Sequence, residues 1–234
     1  LGYRPLVARA RLARGRIHLS GLRGDRGAGD FRAATHDGLA VGDQPMAIEA
    51  YARLAYAVGT TSDPQRATDG LELVEALTEN AGDRARFPRA LLHHNVGSVT
   101  LARGDRAGAR RLFERARGDP AGLVGAGAIE LTAVLLNLLL VSDEPAARAA
   151  LGEELVSTRT RLLGPRHPRT LMAKIVVAEM GEVPTAVRAE LAAPCEELAR
   201  FHPGMGQVIG ECGYELTWLS SFTGDRSAAD AASA

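Results

Sequence analysis

Cysteine is nearly absent: two residues in 234, without the paired spacing of a disulfide framework or a zinc site. Cys195 and Cys212 therefore fit two small buried hydrophobes in a reducing compartment, which implies a cytoplasmic location. Their symmetric placement about the turn near Pro203 leaves a redox pair as the alternative. Aromatics are only 4% of the chain, so the core has to be assembled from Ala, Leu and Val. Charge of one sign is missing too. With 28 basic and 28 acidic residues mixed along the chain the formal net charge is zero, which excludes the one-sided basic field that nucleic acid requires. The most apolar stretch, 129–141, is too short to span a bilayer and contains Thr132 and Asn137, so it predicts a buried helix rather than a membrane segment. No signal peptide and no alternating or β-branched strand block is present, and the fold class that remains is all-α.

What the chain does have is punctuation. Gly-Asp-Arg stands at Gly24-Asp25-Arg26, Gly104-Asp105-Arg106 and Gly224-Asp225-Arg226, and the steps from 24 to 104 and from 104 to 224 are multiples of about forty residues. Gly takes the left-handed conformation at a helix end, and the following Asp can cap the next helix, so the tripeptide predicts a helix-to-helix turn. Pro5, Pro45, Pro64, Pro88, Pro120, Pro145, Pro165 or Pro168, Pro184 and Pro203 each precede an Ala- and Leu-rich run, as Pro does in the first turn of a helix. Asp63, Asp119 and Asp143 stand where a capping oxygen is wanted. Pro194 falls inside a run and predicts a kink or break.

Together these signals divide the chain into helical hairpins at roughly 1–43, 44–83, 84–119, 120–164, 165–202 and 203–234, stacked as a single solenoid domain over 1–234. In the third, Gly97 and Ala109 let the two helices approach closely while Leu112 and Phe113 fill the space between neighbouring hairpins. The second repeats the arrangement with Leu54, Ala55, Val58, Ala67, Leu71 and Val74. The chain begins with Leu, and 227–234 has the look of a second helix cut short, so the ends are expected to be uncapped and the chain to be a piece of something longer.

Several apparent motifs dissolve in this frame. Leu123-Val124-Gly125-Ala126-Gly127 imitates a dinucleotide-binding loop, but it follows Asp119-Pro120 instead of a strand and lacks the third Gly. Arg-Gly-Asp at Arg23, Arg103 and Arg117 is mostly the turn itself. His93 and His94 are adjacent, whereas helical metal ligands need i, i+4 spacing. Neither cysteine carries a nucleophile signature. No enzyme, cofactor or metal site is expected.

Val96, Gly97, Thr100, Gly104, Ala109, Phe113 and Ala116 resemble the tetratricopeptide repeat, and Leu163-Gly164-Pro165-Arg166-His167-Pro168 is similar to the linker of kinesin-light-chain-like arrays. His202-Pro203 is a weaker echo. The fifth hairpin departs from the pattern, with a shortened first helix and Ile175-Val176-Val177 where Asn-Asn-Leu is usual. The resemblance implies a right-handed superhelical solenoid that acts as a non-catalytic protein-protein interaction scaffold. Its host would be a bacterial signalling protein, with an attached Ser/Thr kinase or effector domain. First helices of successive hairpins would line a concave groove for a peptide or partner domain. In that register the groove residues are Arg14 and His18, Arg53 and Tyr56, and His94, Asn95 and Ser98, with Asn95 placed to contact a bound backbone. A chaperone-type carboxylate clamp is not supported, because its places hold Arg14, His18, Arg53 and Leu91. The alternative to a filled groove is a structural module that forms homo-oligomers by stacking through its uncapped ends.

Overall fold

A computed structural model describes residues 3–20, 24–61, 65–118, 127–180 and 184–202. Among the described residues there are ten α-helices and two short 3-10 turns, and no strand. The chain divides into two compact units, Leu1–Ser142 and Asp143–Ala234. The first holds α1 (Arg4–Ser20), α2 (Gly24–Ala40), α3 (Gln44–Thr61), α4 (Leu71–Ala81), α5 (Arg86–Ala102), α6 (Arg106–Arg117) and α7 (Ala128–Val141). The second holds α8 (Pro145–Leu163), α9 (Pro168–Glu179) and α10 (Pro184–Phe201). The hairpin expected at 203–234, with Cys212 and the Gly224 turn, lies outside the described residues, as do Asp63, Pro64, Asp119, Pro120 and 123–126.

Two Gly-Asp turns show why so little chain is spent between helices. At the end of α5, Gly104 has φ +87°; its N–H donates to Leu101 O and that of Asp105 donates to Thr100 O. Asp105 then caps α6, its Oδ1 accepting from Gly108 N at 2.7 Å. The same geometry joins α2 to α3. Gly42 has φ +73°, the Gly42 and Asp43 N–H groups return to Leu39 O and Gly38 O, and Asp43 Oδ1 accepts from Met46 N at 3.3 Å. One residue thus ends a helix in the left-handed region, where L side chains are strained, and the next starts another.

The tripeptide itself is a poorer marker than its spacing suggested. Gly24 is the first residue of α2 and not the end of a described helix, and a further Gly-Asp-Arg at Gly82 lies at the end of α4 with φ +54°. The true period is carried by packing. Gly15 of α1 faces Phe31 of α2, and Gly97 of α5 faces Phe113 of α6; the second pair follows the first by 82 residues at both positions (15 to 97, 31 to 113). The helix starts obey the same step, Arg4 to Arg86 and Gly24 to Arg106. A Cβ on Gly15 would lie 2.6 Å from Phe31, and one on Gly97 2.7 Å from Phe113. Absence of a side chain is what lets each helix close on an aromatic ring.

In the first unit α1 packs on α2, α2 on α3, α3 on α5, α5 on α6 and α6 on α7. α3 has buried residues on two sides of the same helix. Met46, Ala50 and Ala57 join Ala8, Leu12 and Phe31 in one cluster, and Ile48, Tyr51 and Ala55 join Val74, Leu91 and Val96 in another. α7 is the expected apolar helix, with Leu131, Val134, Leu135, Leu138 and Leu139 buried, and Gly127 stands at its N-cap. Among the described residues no helix is long and apolar enough to cross a membrane.

In the second unit α9 packs against α8 and α10, with Leu155, Leu171 and Leu198 fully buried. Pro168 and Pro184 open α9 and α10 as expected, but the N-cap of α8 is Glu144 rather than Asp143 and has no side-chain bond. α10 runs through Pro194 without a break. Cys195 corrects the cysteine reading: it is buried and disulfide-bonded, not a free thiol. A reducing compartment does not sustain such a bond, so the cysteine argument for a cytoplasmic location lapses.

Candidate functional site

Five of the seven groove residues stand on α3 and α5, the helices that pack directly on each other, and three of these five are buried: Arg53, His94 and Asn95. A row of hydrogen bonds ties His94 and Asn95 to each other, to α3 and to α7. Asn95 Nδ2 donates to Ala52 O at 3.0 Å, joining α5 to α3. His94 Nδ1 lies 3.0 Å from Asn95 Oδ1, and His94 Nε2 lies 3.0 Å from Asn137 Nδ2. Because an amide nitrogen is only a donor, His94 Nε2 must accept from Asn137, and Nδ1–H must donate to Asn95. Ser98 closes the row, donating to His94 O at 3.0 Å and accepting from Asn137 Nδ2 at 3.3 Å.

This arrangement has a neutral imidazole built into it. Burial pushes the His94 pKa from 6.5 down to about 4, opposed by the bond to Asn95 and by the charge of Glu130. A proton on Nε2 would also set donor against donor at Asn137. The folded protein therefore binds this proton less readily than the unfolded chain, and the contribution of His94 to stability is full above pH 6.5 and lost as pH falls through 4. At pH 5 the loss is expected to be about 2 kcal/mol relative to pH 7.5. Urea unfolding at the two pH values, with His94→Gln beside the wild type, checks this. An equal pH dependence in the two proteins would contradict the buried neutral imidazole.

Beside the amide row runs a chain of charges. Arg53, 4% exposed, donates Nη1 and Nη2 to the two Glu130 oxygens of α7 at 2.8 and 2.7 Å, and Nε to Glu49 of its own helix at 2.9 Å. Glu49 also pairs with Arg16 of α1. Burial works against the Arg53 charge, yet Glu130 and Glu49 outweigh it and hold the guanidinium above its ordinary pKa. Arg16, Glu49, Arg53 and Glu130 thus link α1, α3 and α7 through one line of alternating sign.

The two groove residues of α1 are directed to Asp30 of α2. Arg14 binds both carboxylate oxygens, through Nε at 2.9 Å and through Nη2, and His18 Nε2 stands 3.8 Å away. The Arg14 hydrogen bond holds the Asp30 carboxyl below the usual range, against the effect of its burial. Arg14 and His18 are therefore not brought together with the α3–α5 row. Tyr56 and Ser98 are half-buried.

Glu49, Glu130 and Asn137 were not anticipated as members of the site. Asn137 was visible as a polar residue in the most apolar stretch of the chain, and Glu130 stands seven residues before it on the same helical face. Among the described residues no group of three His, Cys, Asp or Glu side chains could hold a metal ion. Geometry of this kind fixes side chains in place. Comparison with protein-family models and with curated proteins finds no match to this chain.

Proposed function

We propose that this chain is a non-catalytic protein-protein interaction scaffold, a tetratricopeptide-like solenoid that binds a peptide or partner domain along the face formed by α3, α5 and α7. The observation that carries the reading is the bonded row from Ala52 O through Asn95, His94 and Asn137 to Ser98, which holds polar side chains in position before a ligand arrives. A preformed surface loses little conformational freedom on binding. Arg53, His94 and Asn95 are positioning residues in this scheme, and the half-buried Tyr56, Ser98, Glu130 and Asn137 supply the surface a ligand meets. A place in a bacterial signalling protein, beside a kinase or effector domain, is the part of the proposal that the linker at 163–168 supports through its resemblance.

Ala133 gives the test. It lies on α7 between Glu130 and Asn137, on their face, and is half-buried. Ala133→Trp fills that face without removing a hydrogen bond. Peptides selected from a random phage-displayed library are expected to lose about tenfold or more in affinity against this variant by calorimetry. Unchanged affinity for every selected peptide would remove the face from consideration.

A further inference from the structure

The outer face of α1 carries an apolar seam whose spacing and borders specify a partner. Tyr3, Leu6, Ala10, Ala13 and Ile17 recur at steps of three and four residues and are all exposed, the three large ones by 72%, 65% and 66%. The helix is buried on its opposite side, where Ala8 and Gly15 meet α2, so this helix has two apolar faces and the first unit covers one of them. Alternating steps of three and four keep apolar residues in line along a partner helix, as at the a and d places of a heptad. In that register Tyr3, Ala10 and Ile17 are a, Leu6 and Ala13 are d, Arg9 and Arg16 are g, and Val7 and Arg14 are e.

The borders of the seam carry one sign of charge. α1 contains no acidic residue, and each bordering arginine is held by a carboxylate from behind: Arg9 by Asp43, Arg16 by Glu49 and Arg14 by Asp30. Their side chains remain 71%, 45% and 64% exposed. A guanidinium has five donors, and one carboxylate takes no more than two, so each arginine stays anchored and still presents donors outward. A second copy of α1 would set Arg against Arg along both borders. An acidic partner would be matched on both.

We propose that this face of α1 docks an amphipathic helix of a partner protein, with apolar residues at its a and d places and Glu or Asp at its e and g places. The seam is two heptads long, about 21 Å of helix, so the docking segment needs two to three heptads. Fixed arginines choose the sign of the partner, and the seam supplies the buried area.

The experiment uses the whole chain and two synthetic three-heptad peptides, Leu at a and d in both, with Glu at every e and g in one and Lys in the other. Fluorescence anisotropy is expected to show micromolar binding of the Glu peptide and binding of the Lys peptide weaker by about tenfold or more. Leu6→Glu and, separately, Ala10→Glu should each weaken the Glu peptide by about tenfold. Ala10→Glu replaces a small exposed residue with a good helix former, so it keeps the fold if Leu6→Glu does not. Ala133→Trp should leave this binding unchanged, which separates the α1 face from the face of α3, α5 and α7. Equal binding of both peptides, no binding of the Glu peptide, or self-association abolished by Leu6→Glu would each overturn the proposal, the last in favour of a second copy.

Discussion

Phe113→Ala is expected to lower the unfolding free energy by about 3–5 kcal/mol, read from the urea midpoint at constant slope. Phe113 is fully buried, lies against Gly97 where no Cβ would fit, and stands 6.0 Å from the His94 ring in a tilted arrangement. Removing the ring leaves a void between α5 and α6 that a glycine cannot fill from the other side. Gly97→Ala separates packing from helix propensity. In the wild type, Ala at 97 gains about 1 kcal/mol of helix propensity but places a methyl 2.7 Å from the ring, an overpacking cost of about 1–3 kcal/mol, and the net effect is a loss. In the Phe113→Ala background the ring is gone and only the Leu112 Cβ, 3.3 Å away, stays close, so the same substitution should stabilise. Phe31 against Gly15 should repeat both results in the first hairpin. A loss below about 1 kcal/mol for Phe113→Ala would show that the two helices do not depend on this contact.

Arg53→Ala should cost about 3–5 kcal/mol, because it removes a buried guanidinium together with the hydrogen bonds it gives to Glu49 and Glu130. Glu49 keeps Arg16, whereas Glu130 loses both of the bonds Arg53 gives it. The Glu130 side chain is 40% exposed, so water compensates part of that loss and the value falls toward the lower end. A double-mutant cycle of Arg53→Ala with Glu130→Ala isolates the link from α3 to α7, with an expected coupling of about 1–3 kcal/mol. Additive single effects would mean that α7 is held by its leucines alone and that the charge line contributes nothing to the face.

Individual residues show how far sequence reasoning reached. Gly97 and Ala109 could be assigned to a close helix pair because they resemble a known repeat pattern, whereas Phe113 was expected between neighbouring hairpins and instead packs on Gly97 within its own. Their equivalents Gly15 and Phe31 passed unnoticed. α1 and α2 are rich in Arg, Asp and Gly, and the 82-residue step that reveals the likeness becomes evident only once both rings are seen against a glycine. The recurrence that the structure displays is one step of 82 residues, and Gly-Asp-Arg was the wrong clock for it: the copy at Gly82 and the helical position of Gly24 show that it stands near helix ends in general.

Asn95 was assigned to a ligand backbone through its place in the repeat register; the backbone it binds is Ala52 of the neighbouring helix. Both readings use the same chemistry, a carboxamide satisfying a peptide group. Which one applies depends on an acceptor 43 residues away. Glu130, 77 residues from Arg53, is further still from any local signal.

Local chemistry along the chain was enough to dictate the helices and several of their ends, since capping, the left-handed glycine and the first-turn proline all act within four residues. The destination of the polar side chains was settled by packing between helices. Arg53, His94 and Asn95 turn inward, and the seam on α1 stays in water, because hydrogen-bond partners and covering surfaces come from segments that are far apart in sequence and adjacent only after folding.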